Sequence, residues 1–300
     1  MNFFSIFFPK LNTEILINEI PKRRCVYLRD EFHKRLKLPS FYDKENIEGK
    51  IIIFTNGNNF THNGIKIQIL GIIENKINHS KNSTFILLTK DISPPSKLIN
   101  EINSFQYSFN NVEKIYESYR GIYFNVKYLI RLNIETKFKT LIWEKEFGVI
   151  KPEKKEALEI LNDPIEMNVG IEDFLHLNFI LDKNKYSTKD VITGRIIFKK
   201  VSFKLKTMAL EIIKKETDIN GQTCNNLTLC KFEIMDGAPI KNEIIPIRFF
   251  LAPYELTPTY KNINNIFSVR YYINLVIYDS NDKRYYKQHE IILYRIPRII

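Results

Sequence analysis
The chain has 300 residues, 44% hydrophobic and 26% charged, with ten glycines and twelve prolines. That composition excludes a fibrous or disordered chain and suits one large or two mid-sized folded domains. The net charge of +11 suits an anionic surface. Nucleic acid is not expected, because no block of five or more consecutive basic residues, RNP-type motif or helix-turn-helix pattern accompanies the charge.

In chain order, the first segment is the apolar Met1-Asn2-Phe3-Phe4-Ser5-Ile6-Phe7-Phe8-Pro9. It is too short for a signal h-region and lacks a charged n-region, so no secretory leader is expected. Strands are expected at 50–54, 65–69, 84–89, 105–109, 122–134 and 143–149. The segment 122–134 is the clearest. Ile122, Phe124, Val126, Tyr128, Ile130, Leu132 and Ile134 alternate with more polar positions. Successive side chains point to opposite faces of a sheet, so this pattern makes one face core and the other solvent. A strand of that length would run about 44 Å and fits an elongated sandwich.

The stretch from Lys151 to Pro164 breaks the alternation. It is charged and bracketed by prolines, and reads as a linker over 151–165 between domains at 1–150 and 166–300. Further strands are expected at 175–180, 192–198, 208–212, 267–277 and 290–295. Asn220-Gly221 and Asp279-Ser280-Asn281-Asp282 are turn signals. The polar, Asn-rich stretch holding Cys224 and Cys230 reads as a hairpin tip. Many strands joined by short polar turns, with no long helix between them, predict an all-β protein built from β-sandwiches.

No chemistry of catalysis emerges from motifs. Cys25, Cys224 and Cys230 are an odd count without metal-type spacing, which indicates a reducing, cytoplasmic setting. Five scattered histidines form no ligand set, and glycine-rich phosphate loops and nucleophile elbows are absent. No metal and no cofactor is expected. Glu172, Asp173 and His176 put acid and imidazole close together. They read first as a structural polar set, and only secondarily as an enzyme's acid–base group. No run of about 18 apolar residues predicts a membrane span.

The second half carries a distinctive succession. Lys231-Phe232-Glu233-Ile234-Met235-Asp236-Gly237-Ala238-Pro239 is followed by Ile245-Pro246-Ile247-Arg248, Leu256-Thr257-Pro258-Thr259 and Phe267-Ser268-Val269-Arg270-Tyr271-Tyr272. In the first half stand Phe41-Tyr42-Asp43, His62-Asn63-Gly64-Ile65-Lys66-Ile67 and Val112-Glu113-Lys114-Ile115-Tyr116-Glu117-Ser118-Tyr119. In this order the segments resemble the arrestin-fold subunit of retromer, the vacuolar protein sorting-associated protein 26 family.

The resemblance implies two arrestin-like β-sandwich domains joined by a short linker. It implies a non-enzymatic protein, peripheral on the endosome membrane, that serves endosome-to-Golgi and recycling transport. The C-terminal sandwich would bind the helical-solenoid scaffold subunit through a loop matching Ile234, Met235, Asp236 and Gly237. Lys200 and Ser202 stand where the family carries an apolar residue and an arginine beside that loop. The N-terminal sandwich would meet a sorting nexin and help hold sorting-signal tails of transmembrane cargo. Asp43, Glu172, Asp173 and His176 would form a structural polar core between the domains. Lys44 replaces the glycine of the family's Phe-Tyr-Asp-Gly segment, and the family's C-terminal tail extends further past the last expected strand than residues 296–300 do. Weak attraction of the basic chain to anionic endosomal membrane is also expected. The alternative reading is an arrestin-domain adaptor acting outside retromer.

Overall fold
The computed structural model describes residues 11–18, 24–29, 34–55, 59–77, 82–153, 163–171, 173–202 and 204–296. Among them every regular element is a strand. The chain divides into two compact units, Met1–Lys151 and Pro152–Ile300.

The first unit holds β1 (Asn12–Ile17), β2 (Cys25–Arg29), β3 (Arg35–Phe41), β4 (Ile47–Phe54), β5 (Phe60–His62), β6 (Gly64–Asn75), β7 (Ser83–Ser93), β8 (Ser96–Leu98), β9 (Ile102–Phe109), β10 (Tyr119–Arg120), β11 (Phe124–Glu135) and β12 (Thr140–Val149). One sheet runs β1-β4-β9; the larger runs β2-β3-β12-β11-β6-β7, with β10 on β11; β5 and β8 pair separately. The alternation read in the sequence appears as burial. Phe124, Val126, Tyr128, Ile130, Leu132 and Ile134 are all buried, while Lys127, Arg131 and Glu135 keep partial access to solvent. β11 is central because both neighbours supply the same pattern: Ile130 lies opposite Ile69 of β6, and Tyr128 opposite Phe147 of β12. Phe41 meets Phe147 edge-on at 5.2 Å, a favoured aromatic geometry. The strand starts two residues later than its pattern, because Gly121 donates its N–H to the Phe124 carbonyl at 2.9 Å and leaves Ile122 in the turn, 50% exposed.

The second unit holds β13 (Ile165–Ile171), β14 (Leu175–Leu181), β15 (Lys185–Ser187), β16 (Val191–Val201), β17 (Leu205–Asp218), β18 (Thr223–Asp236), β19 (Ile244–Phe250), β20 (Tyr260–Ile263), β21 (Phe267–Asp279) and β22 (Arg284–Tyr294). The smaller sheet runs β13-β14-β16-β19; the larger runs β15-β22-β21-β17-β18, with β20 on β21. Its core comes from Leu175, Leu177 and Phe179 of β14, Met208, Leu210 and Ile212 of β17, and Val269, Tyr271, Ile273 and Leu275 of β21. Fully burying one such side chain contributes about 1.5–3 kcal/mol.

One sequence expectation is corrected. Cys224 and Cys230 lie within the 14-residue strand β18, and the turn that precedes it is at Asn220 and Gly221, whose φ of 78° suits glycine. The expected linker overlaps the start of β13 at Ile165, and its residues 154–162 lie outside the described residues.

Candidate functional site
The predicted contact loop lies at the end of an edge strand. β18 has one neighbour, β17, and its other edge is open within the sheet. The pairing runs Met235 opposite Met208 and Glu233 opposite Ala209, so Ile234 is an extra residue, a β-bulge. A bulge bends the strand and breaks the alternation of faces. As a result Ile234 and Met235 are both half-buried, although they are consecutive. Asp236 and Gly237 are exposed. Gly237 has φ 105°, donates its N–H to the Lys206 carbonyl at 2.9 Å, and has open space where a Cβ would stand. Only glycine takes that backbone without strain, so Gly237 turns the chain away from the sheet just past the apolar pair.

Apolar side chains continue along this stretch. Phe232 is 49% exposed, and its ring meets Phe249 of the other sheet edge-on at 6.1 Å. Ile240 is 72% exposed, and Ile244 and Phe250 are also exposed. Phe232 on the open edge strand and Ile240 in the connection after it are exposed apolar side chains that suit burial by a partner. Lys200 and Ser202 sit at the same end of this unit. Lys200 is the penultimate residue of β16 and is exposed, Ser202 is exposed, and its N–H donates to the Phe174 carbonyl at 2.7 Å. The chain then enters β17 at Leu205, one residue before the carbonyl that Gly237 uses.

Of the four residues expected in a polar core, Asp43 lies in the first unit and the other three in the second. Glu172 lies outside the described residues. Asp173 is exposed in the turn before β14, and His176 is exposed on that strand, opposite Gly170 and Lys200. Asp43 belongs to a cluster wholly within the first unit. Its carboxylate accepts the Lys114 N–H at 2.7 Å. The Lys114 ammonium, with no exposed surface, donates to the Glu45 and Val112 carbonyls at 2.7 and 2.8 Å. Burial pushes its pKa down to about 8, against the attraction of Glu45 and Asp43. Arg24 pairs with Glu45 at 3.2 Å and lies over the Tyr42 ring at 3.8 Å. This arrangement pins the turn between β3 and β4 to the connection that carries 112–118.

The sequence reading missed Lys114 as a site residue. Its segment carries part of the family resemblance, but a single lysine in an irregular connection gives no sign that it is buried. Among the described residues no group of three or more His, Cys, Asp and Glu side chains could hold a metal, and no helix is long and apolar enough to cross a membrane.

The fold defines the class: an all-β protein of arrestin-like β-sandwiches. The family model described as vacuolar protein sorting-associated protein 26 matches residues 7–282. Vacuolar protein sorting-associated protein 26B from Homo sapiens is 42% identical over 304 aligned residues, covering 100% of this chain and 89% of that protein. The Xenopus tropicalis protein of the same name is 41% identical over the same span, and a Danio rerio 26B-like protein is 40% identical over 98% of this chain. The chain belongs to the vacuolar protein sorting-associated protein 26 family, the retromer arrestin-like subunit family.

Proposed function
We propose that this chain is a non-enzymatic cargo-recognition subunit of retromer, working in the cytoplasm on the endosome membrane. It binds the helical-solenoid scaffold subunit through the second unit, with Ile234 and Met235 as the anchor and Asp236 and Gly237 shaping the turn. Lys200 and Ser202 flank that contact. The first unit helps recruit a sorting nexin and the sorting-signal tails of transmembrane cargo for endosome-to-Golgi and recycling transport. Asp43, Glu172, Asp173 and His176 serve structure, not turnover.

The observation that carries this reading is the pairing of family membership over residues 7–282 with a bulged, apolar end on an open edge strand. Met adapts to irregular pockets, and a buried apolar anchor typically costs over about 2 kcal/mol when truncated. The test is calorimetric titration of the full chain against the scaffold's C-terminal part, beside an Ile234→Asp/Met235→Asn variant with unchanged far-UV circular dichroism. The expected result is tight binding lost by roughly 30-fold or more in the variant. Equal binding by both would move the interface elsewhere. No binding by the unsubstituted chain would favour an arrestin-domain adaptor acting outside retromer.

A further inference from the structure
A polar cavity of about 250 Å³ opens in the first unit, away from the Asp43 cluster. Its lining includes Arg29 of β2, Lys76 just after β6, Arg120 of β10, Asn125 and Lys127 of β11, and Glu146 of β12. The larger sheet thus brings four cations to one recess on the face that β11 turns away from its apolar core, where Asn125 and Lys127 alternate with buried Val126 and Tyr128.

Two polar atoms in this recess are buried and lack a hydrogen-bond partner among the described residues: Arg120 Nη1 and Asn125 Oδ1. The Arg120 side chain is only 10% exposed and Asn125 only 2%. They are cross-strand partners, so the two atoms belong to one spot. The rest of each side chain is already committed. Arg120 Nη2 pairs with Glu146, and Asn125 Nδ2 donates to Glu74 Oε2 at 2.9 Å. A carboxylate can only accept, which fixes the amide orientation and leaves Oδ1 as an acceptor. Lys127 is held by Glu74 at 2.6 Å. Leaving buried polar groups unmet is costly, so this recess calls for a ligand with both kinds of group.

The missing partners are specific in kind. Arg120 Nη1 needs an acceptor, and a guanidinium favours an anionic oxygen. Asn125 Oδ1 needs a donor, which sulfate lacks and hydrogen phosphate offers only through its single P–OH, whereas a polyol carries several hydroxyls. Burial also pushes the Glu146 carboxyl up, against the opposing pull of Arg120 and Lys127. The volume exceeds that of a single water, whose share of the liquid is about 30 Å³, and falls below that of most drug-sized ligand pockets, at about 300 Å³ and more.

We propose that this cavity binds a phosphorylated polyol. The phosphoryl oxygens meet Arg120 Nη1, with Lys76 and Lys127 adding positive charge, and a ring hydroxyl donates to Asn125 Oδ1. Soluble inositol phosphate and the headgroup of a phosphoinositide share this chemistry.

The test uses the full chain. Inositol 1-phosphate, myo-inositol and inorganic phosphate are titrated separately by calorimetry. Flotation is then measured with phosphatidylcholine vesicles with and without a phosphatidylinositol monophosphate. The expected result is saturable binding of inositol 1-phosphate, tighter than either fragment, and weakened about tenfold or more by Arg120→Gln. Lys76→Gln, at the rim, should weaken it severalfold and serves if the Arg120 variant does not fold. Flotation dependent on the phosphoinositide and competed by inositol 1-phosphate assigns a lipid source; binding in solution without flotation assigns a free one. Absence of saturable binding to inositol 1-phosphate and to both vesicles overturns the proposal. So does binding that survives within about twofold in the folded variants, or inorganic phosphate binding as tightly as inositol 1-phosphate. Scaffold binding by these variants should match that of the unsubstituted chain, which keeps this test separate from that of the retromer reading.

Discussion

Each unit buries a lysine, and the two satisfy it by different means. In the second unit Lys214 lies on β17 with its side chain 13% exposed, and the fully buried Glu216 stands two residues on at 3.7 Å. Register places both on the core side, opposite Tyr271 and Val269 of β21. In the first unit Lys114 sits in an irregular connection and is held by two backbone carbonyls, with carboxylates further out. One charge is met by strand periodicity and the other by long-range backbone placement. The first solution is local and replaceable. The second fastens parts of the chain about 70 residues apart, Glu45 to Lys114, and no single substitution can reproduce it.

That difference can be broken by substitution. Lys214→Leu removes the cation 3.7 Å from the fully buried Glu216, and should cost about 3 kcal/mol. Adding Glu216→Leu should restore most of the loss, since replacing a buried pair with apolar residues is often neutral or better. Lys114→Met leaves two buried carbonyls without their shared donor and should cost about 2 kcal/mol, with no second substitution that restores it. Urea unfolding separates the two. The single tryptophan, Trp143, lies on β12 of the first unit, so its fluorescence follows Lys114 variants. Circular dichroism follows both units. A Trp143 transition that shifts with Lys214→Leu would break the comparison.

The pH dependence sharpens it. Lys114 has its folded pKa pushed down from 10.5 to about 8 by burial. Between those values the unfolded chain binds more protons than the folded one, so stability rises with pH across that window. The gain seen through Trp143 should be on the order of 2 kcal/mol from pH 8 to 10, and absent in Lys114→Met. Burial also lowers Lys214, which adds the same sign in the second unit. Above about pH 10 the sign reverses. Burial raises Tyr128 and Tyr186, and pushes Tyr271 up to about 12, so these tyrosines ionise first in the unfolded chain. A flat Trp143 profile in the unsubstituted chain would mean that Lys114 is as well solvated as a surface lysine.

The same contrast explains what could be read in the sequence. β11, β17 and β21 were legible because one face of each is core and the period is two. Lys214 and Glu216 obey that period too, although their charge disguised it. β18 was not legible, because an edge strand with bulges is partly wet on both faces and its burial does not alternate. Nothing in its polar, Asn-rich stretch says strand. The loop Ile234–Gly237 was found through family resemblance, since an apolar pair at a strand end reads equally as core. Neither Lys114 nor the Arg120 recess had a local signal. The partners of Lys114 come from the β3–β4 turn and from its own connection, and Arg120 meets its recess only when five strands assemble.

Lys44 is the departure that the sequence did flag. It replaces the family's glycine in the turn beside Asp43, and the structure gives it φ 61°, the left-handed region. An L-residue there costs roughly 1–2 kcal/mol, while glycine accepts it freely. Its N–H still donates to the Val112 carbonyl at 3.0 Å, a bond that needs no side chain. The turn is therefore held in a strained form by the Lys114 cluster. Lys44→Gly should raise the Trp143 transition by about 1 kcal/mol, the smallest effect in this set and the only single substitution that stabilises. Lys44→Ala separates strain from charge. It removes the charged side chain but keeps the Cβ that makes φ 61° costly. If the alanine variant gains as much as the glycine variant, loss of the lysine side chain is the cause, and backbone strain is not.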